Sequence, residues 1–423
     1  MVQTQSLAVV PRSSALPEFL KLLLLIAIPA PLLAYFSWAS SYSVGVMLSC
    51  IGLLVYGATA MRGRRSPLPA ALPGLLCGLA VIALHLLISS FLGPVDWGRG
   101  LGSLVMLAIF VAGALVLKQA LLCLAPQDLL KGARYGLYGL AFISLLGILD
   151  WLQPDKATWP KSLFPFSEPS HLALFLAPIL IFNCITAQPR ARLLILAAAL
   201  TATAILQNVT LATICLMTAV LCLSPRYLLL LAVTVVPAVL LLDLEYYLVR
   251  LDFSGESDNL TNLVFFQGWQ LILEALERSH GFGLGFQQLG VFGTDSDAAE
   301  LIRFIMGEYL NLLDGGFNLA KFIGEFGVFG MMLLAAFLYQ LGVAIKLLRR
   351  TATRGQAIPL SHVFAASCMM GYTVELFLRG VGYFSPSGLL LLSAALIWLD
   401  RKPNSASTVA RPPCPTGISQ QAR

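Results

Sequence analysis

Long apolar runs alternate with short polar breaks along most of the chain. The runs lie near 18–38, 42–61, 68–90, 101–124, 135–151, 169–187, 192–207, 209–223, 227–243, 319–345, 359–378 and 384–399. Each is close to the roughly 20 residues a helix needs to cross the hydrocarbon of a bilayer. Gln207-Asn208-Val209-Thr210 is the polar break that splits 192–223 in two. Pro29, Pro31, Pro178 and Pro237 fall inside runs and predict kinks, which bundles tolerate where neighbours satisfy the freed carbonyls. The pattern predicts an all-α, polytopic helical membrane protein of about twelve transmembrane helices, a single integral membrane domain over 1–423.

One stretch departs from this pattern. From about Glu245 to Asp314, within an outer segment spanning 244–318, the chain is polar, with its own aromatics, glycines and charges. A loop this long between spans reads as a working part. Asp252 to Asn262 is turn-rich, and Leu263 to Leu276 reads as an amphipathic helix near the membrane surface. The stretch 403–423, rich in Pro, Ser and Thr, reads as a disordered cytoplasmic tail.

Composition agrees: 58% of the 423 residues are hydrophobic and 11% are charged, against about 25% charged in a soluble domain. Lipid must cover such a chain. Basic residues then set its orientation, because Lys and Arg resist translocation. Arg62, Arg64 and Arg65, Lys131 and Arg134, Arg190 and Arg192, Arg226, Lys346 to Arg354, and Arg401 and Lys402 all follow even-numbered spans. Both termini are therefore expected inside, and the net charge of +6 is a topology signal that gives no support to nucleic-acid binding. Lys21 and the apolar run after it read as span one, not as a cleaved signal.

Eight basic residues of the 27 stay outside: Arg99, Lys156, Lys161, Arg250, Arg278, Arg303, Lys321 and Arg379. Lys156, Lys161 and Arg99 read as solvated rim residues; the others are candidates for function. None of the eight cysteines falls in an outer loop, and no disulfide framework or zinc spacing is present.

Four segments carry candidate chemistry. In Phe166-Ser167-Glu168-Pro169-Ser170-His171, Ser167 reads as an N-cap and Pro169 as a first-turn residue, with Glu168 at the helix's positive end. A good helix start and a functional site are both open readings. His171, an ionisable residue at the start of a span, is either a functional candidate or a hydrogen-bonded structural histidine. Gly281-Phe282-Gly283-Leu284-Gly285-Phe286 is either a flexible turn or a loop whose Gly283 and Gly285 open backbone amides to an anion. In Asp314 to Gly330, Lys321 and Glu325 are four apart and share a helix face, expected either to neutralise each other or to line a polar cavity. Gly327 and Gly330 suit close helix packing. Glu375 and Arg379 share the same spacing, and Arg379 is suited to grip phosphate with its guanidinium.

The ordered set Phe166–His171 (FSEPSH), Trp269–Gly290 (WQLILEALERSHGFGLGFQQLG), Asp314–Gly330 (DGGFNLAKFIGEFGVFG) and Arg379–Phe384 (RGVGYF) resembles the O-antigen polymerase family, Wzy. The likeness touches about a third of the chain. It implies a GT-C-like bacterial inner-membrane glycosyltransferase with one large periplasmic loop. A glycan on undecaprenyl pyrophosphate is transferred by its reducing end to another lipid-linked repeat unit, and undecaprenyl pyrophosphate leaves. The resemblance assigns charge neutralisation on the leaving group to Arg250, Arg303 and Arg379, with Arg278, Lys321, Glu325, Gly283, Gly285 and Tyr383 around the substrate. Glu168, His171 and Asp314 are the candidates to position the acceptor hydroxyl, and the identity of any general base stays open. The expected partners are the lipid-linked glycan as donor and acceptor, membrane lipid and a chain-length regulator (Wzz-like). No metal or other cofactor is expected.

The related O-antigen ligases carry a histidine before the late span, where this chain reads Gly315-Gly316-Phe317-Asn318. That departure favours polymerase over ligase. A lipid-linked oligosaccharide flippase is the competitor from another class; it is expected to place its charges near the midplane and to have matching halves. A membrane scaffold has little need of exported arginines.

Overall fold

The structure, a computed structural model, describes residues 16–39, 41–60, 72–151, 163–229, 233, 259–355 and 358–400. Fourteen helices are described: α1 (Glu18–Ala27), α2 (Pro29–Tyr35), α3 (Tyr42–Ala60), α4 (Leu72–Leu92), α5 (Trp97–Cys123), α6 (Pro126–Trp151), α7 (Pro169–Thr186), α8 (Pro189–Leu206), α9 (Val209–Cys222), α10 (Leu260–Arg278), α11 (Asp297–Met306), α12 (Asn318–Arg354), α13 (Leu360–Phe377) and α14 (Pro386–Leu399). Among the described residues, eight crossings are long and apolar enough for a membrane: α1 with α2, α3 to α8, and α12. Three further expected crossings are helical but differ in kind. α9 and α14 have 14 residues each, and α13 carries the fully buried Glu375. The span expected at 227–243, Pro237 with it, and the tail 403–423 lie outside the described residues.

Helix starts and breaks follow local chemistry. Proline occupies the first turn of α2, α7, α8 and α14, where its missing N–H costs nothing. The kink expected at Pro29 is a break between α1 and α2 at Ile28. The polar break Gln207-Asn208 ends α8 in a left-handed residue, and the Asn208 side chain caps α9 through Leu211 N. The cysteines Cys50, Cys77, Cys123, Cys184, Cys215, Cys222 and Cys368 are all free, as expected of apolar fillers.

At the centre stands α7, buried from Leu172 to Ile185 and packed against α6, α8, α9, α12 and α13. Gly371 of α13 allows that closeness: a Cβ there would lie 2.9 Å from the Pro178 backbone nitrogen.

Contacts sort the connections into two ends. At one end the 96–99, 163–168, 207–208, 281–290, 314–318 and 379–385 segments meet. Asn208 Nδ2 donates to Pro169 O at 2.8 Å, Asp96 N to Gln288 Oε1 at 2.8 Å, and Gly380 N to Gly316 O at 2.8 Å. The opposite end holds the Lys118–Asp400 ion pair at 2.6 Å and the buried Arg192. Arg192 donates to Cys184 O at 2.8 Å and Ala187 O at 3.2 Å, ending α7, to Cys222 O at 2.7 Å, ending α9, and to Ala352 O at 3.4 Å, late in α12. One guanidinium thus satisfies orphan carbonyls of three helices.

The long helix α12 is two pieces. Gly327 has φ 54° and ψ −131°, a conformation reserved for glycine. A Cβ on Gly330 would lie 2.7 Å from Phe322 O, eight residues earlier, where a straight helix separates them by about 12 Å. The chain therefore bends sharply. Residues 315–327 are almost all buried within the protein, whereas Val328, Phe329, Met332 and Leu333 are half or more exposed. From Val328 to Lys346 the helix rises about 27 Å, close to the hydrocarbon thickness. Gly327 and Gly330 do permit close backbone approach, as their spacing suggests, but Gly327 also makes the bend, and the exposed apolar stretch starts beyond it.

Candidate functional site

The glycine loop fills the bend in α12. Leu284 N donates to Gly324 O at 3.0 Å, Gly285 N to Glu325 O at 2.9 Å, and Val328 N to Gly281 O at 2.9 Å. Gly283 has φ 98°, and a Cβ on it would lie 2.4 Å from Glu325 O. Gly283 N itself is taken by Ser279 Oγ at 2.8 Å. This corrects the expectation that Gly283 and Gly285 offer amides to an anion. A bend leaves carbonyls without helical partners, and these amides satisfy them.

Both four-residue pairings expected from the sequence are replaced. Lys321, fully buried, reaches Asp314 Oδ1 at 2.7 Å and Leu313 O at 2.9 Å. Glu325 instead accepts the amides of Gln287 at 2.7 Å and Leu289 at 3.4 Å. In α13 the helix ends at Phe377, and Leu378 has φ −120°, so Arg379 leaves the helical register that would have placed it beside Glu375. Glu375 is hydrogen-bonded to Asn318 Nδ2 and Ser387 Oγ.

Asn318 is the knot between two segments. Its Nδ2 also donates to the Tyr372 hydroxyl at 2.8 Å and Gly382 O at 3.3 Å, and its Oδ1 accepts Gly382 N at 3.1 Å. The Arg379–Tyr383 loop is thus fixed to Asp314–Asn318. Tyr383 stacks on Phe286 at 5.7 Å between centroids, and Lys321 Nζ lies 5.3 Å from the centre of its ring. Burial, with the Glu325 carboxyl beside it, pushes the Tyr383 phenol well above its ordinary value, so it stays protonated.

From this fixed loop Arg379 turns toward α7, and its Nη2 meets Glu168 Oε2 at 2.9 Å. Ser170 Oγ donates to the same oxygen at 2.9 Å. Glu168, not Ser167, is the N-cap residue of α7, and its side chain makes no cap bond. Ser167 Oγ lies instead 3.2 Å from His171 Nδ1, which the Tyr42 hydroxyl also reaches at 2.8 Å. Tyr42, Phe166, His171, Leu174, Phe175, Val381, Pro386 and Ser387 line a small cleft beside the ion pair. Burial pushes the Glu168 carboxyl up, but Arg379, His171 and Ser170 outweigh it and hold it below its ordinary value.

The remaining candidates are dispersed. Arg278 pairs with Glu274 at 2.6 Å and Asp295 at 2.8 Å. Arg303, on the exposed side of α11, pairs with Glu300 at 3.6 Å and with the Tyr309 hydroxyl at 3.1 Å. Both are held within their own loop. Arg250, Lys156 and Lys161 lie outside the described residues. Arg99 is no solvated rim residue: its Nε donates to Gln287 O at 2.8 Å and joins the start of α5 to the glycine loop.

Tyr42, Asn318 and Ser387 had not been singled out from the sequence. Nothing local marks them, since their role rests on partners 129, 57 and 12 positions away. Among the described residues no group of three or more His, Cys, Asp or Glu side chains has metal-ligating geometry. The arrangement offers one cation, Arg379, paired with a carboxylate that also takes the Ser170 hydroxyl, next to a histidine that meets the Tyr42 and Ser167 hydroxyls. Comparison with family models, curated proteins and solved structures finds no match.

Proposed function

We propose that the protein is a bacterial membrane glycan polymerase of the O-antigen type, a GT-C-like enzyme of about twelve spans. It sits in the inner membrane with both termini cytoplasmic and the end that carries Arg379 facing the periplasm. The reaction breaks the bond between the anomeric carbon of the donor glycan and the oxygen of undecaprenyl pyrophosphate. A hydroxyl of the acceptor repeat unit, also lipid-linked, forms the new bond and loses its proton, and undecaprenyl pyrophosphate leaves.

One observation carries this reading. Arg379 projects from a rigid loop at the end where the expected outer segments converge, beside a cleft with polar side chains. Negative charge grows on the diphosphate as it departs, and a preorganised guanidinium there lowers the barrier. The acceptor hydroxyl needs orienting groups within hydrogen-bond reach, which Glu168, Ser170 and His171 supply. A transporter would be expected to place charge at the bilayer midplane; Arg379, Glu168, Asp314 and Lys321 cluster at one end.

The test is genetic. In a deletion strain, lipopolysaccharide on a gel is expected to lose its ladder and keep core with a single repeat unit. Wild type restores the ladder; Arg379→Ala, expressed to the same level, does not. Bare core with long polymer on the lipid carrier would instead identify a ligase. Bare core without outer-face lipid-linked repeats would identify a flippase.

A further inference from the structure

Arg379 and Glu168 are unequally matched. Arg379 gives one nitrogen, Nη2, to one carboxylate oxygen, and its Nε is buried with no hydrogen-bond partner. A guanidinium is a planar fork of five N–H donors that prefers a two-pronged grip on an anion. Glu168 does not supply that grip, because the same oxygen also takes the Ser170 hydroxyl.

The two partners also differ in freedom. The Arg379 backbone is fixed on both sides, by Arg379 N to Val374 O at 3.1 Å and Gly380 N to Gly316 O at 2.8 Å. Its side chain is 22% exposed, whereas that of Glu168 is 46% exposed at the rim. Breaking the ion pair therefore frees the more exposed glutamate and leaves Arg379 on its anchored backbone.

We propose that Glu168 is a built-in placeholder: its carboxylate occupies the position on Arg379 that the diphosphate of the lipid-linked donor takes, and swings aside when the donor binds. The identity of the anion rests on the function proposed above. A diphosphate brings oxygens enough to engage Nη2 and the idle Nε together, which one shared carboxylate oxygen cannot. The placeholder keeps a partly buried guanidinium paired when no substrate is present. It also sets a threshold, because an anion must outcompete a carboxylate already in place, and its apparent affinity falls by the fraction of time the site is closed.

The experiment uses the full-length protein in lipid nanodiscs, titrated calorimetrically with inorganic pyrophosphate. Glu168→Gln removes the competing charge and is expected to bind pyrophosphate tighter by about tenfold. Glu168→Ala, should the Gln variant aggregate, is expected to move the same way. Arg379→Ala is expected to abolish the binding. Equal or weaker binding by the Glu168 variants, with Arg379→Ala still abolishing it, would overturn the placeholder and leave the Arg379 site standing. Binding that survives Arg379→Ala, or no binding by any form, would overturn both.

Discussion

At the scale of single residues, the site turns on which carboxylate meets which cation. Spacing along a helix suggested Lys321 with Glu325 and Arg379 with Glu375. The bundle instead joins Lys321 to Asp314 and Arg379 to Glu168, 211 positions away in sequence. A pH dependence follows from the second pair. The Glu168 carboxyl is held below its ordinary value, so the pair is complete above the ordinary carboxylate range and is lost as pH falls through the lowered value. Pyrophosphate binding measured against pH is expected to show in wild type a step on that acid side, in addition to the changes that pyrophosphate's own protonation brings. Glu168→Gln should remove this feature from the profile. Lys321→Met tests the other pair: with Asp314 unpaired and the cation beside the Tyr383 ring removed, the thermal midpoint of the purified protein is expected to drop and the ladder of the proposed polymerase to fail.

At the scale of elements, the decisive feature is the bend at Gly327. Its conformation suits glycine alone, and a Cβ there would lie 2.1 Å from Gly281 O. Gly327→Ala is expected to cost at least about 1–3 kcal/mol in backbone strain before the clash is counted. It should lower the melting temperature in detergent and, by displacing the glycine loop, lower the polymerising activity proposed above. The opposite end has a comparable device in Arg192, which ties α7, α9 and α12 through their carbonyls. Arg192→Ala is expected to destabilise by on the order of 3 kcal/mol, since hydrogen bonds to a charged group each contribute about 1.5–3. Arg192→Lys is expected to recover little, because one ammonium does not span three helix ends. Thermal unfolding of both variants checks this.

At the scale of the whole molecule, the described parts of the segments expected on one side of the membrane meet at one end of the bundle. That convergence rests on contacts such as Arg99 with Gln287, Asn208 with Pro169 and Arg379 with Glu168. The sidedness makes a prediction: in intact cells a membrane-impermeant maleimide should label Asp295→Cys, and should label Arg350→Cys only after permeabilisation. The reverse pattern would place the Arg379 end in the cytoplasm and remove lipid-linked donors from its reach.

The helical membrane architecture, most span limits and the split at Gln207-Asn208 were legible in the sequence. They depend on local quantities, namely apolar run length, capping residues and the cost of moving basic side chains across lipid. So was the placing of Glu168, His171, Asp314, Lys321 and Arg379 as polar groups near the ends of helices. Only the tertiary structure decided their pairing, the engagement of the Gly283 and Gly285 amides, and the entry of Tyr42 and Asn318 into the site. Those outcomes depend on where distant helices place their ends. A helical period tells which residues share a face of one helix and carries no information about the neighbour that face meets.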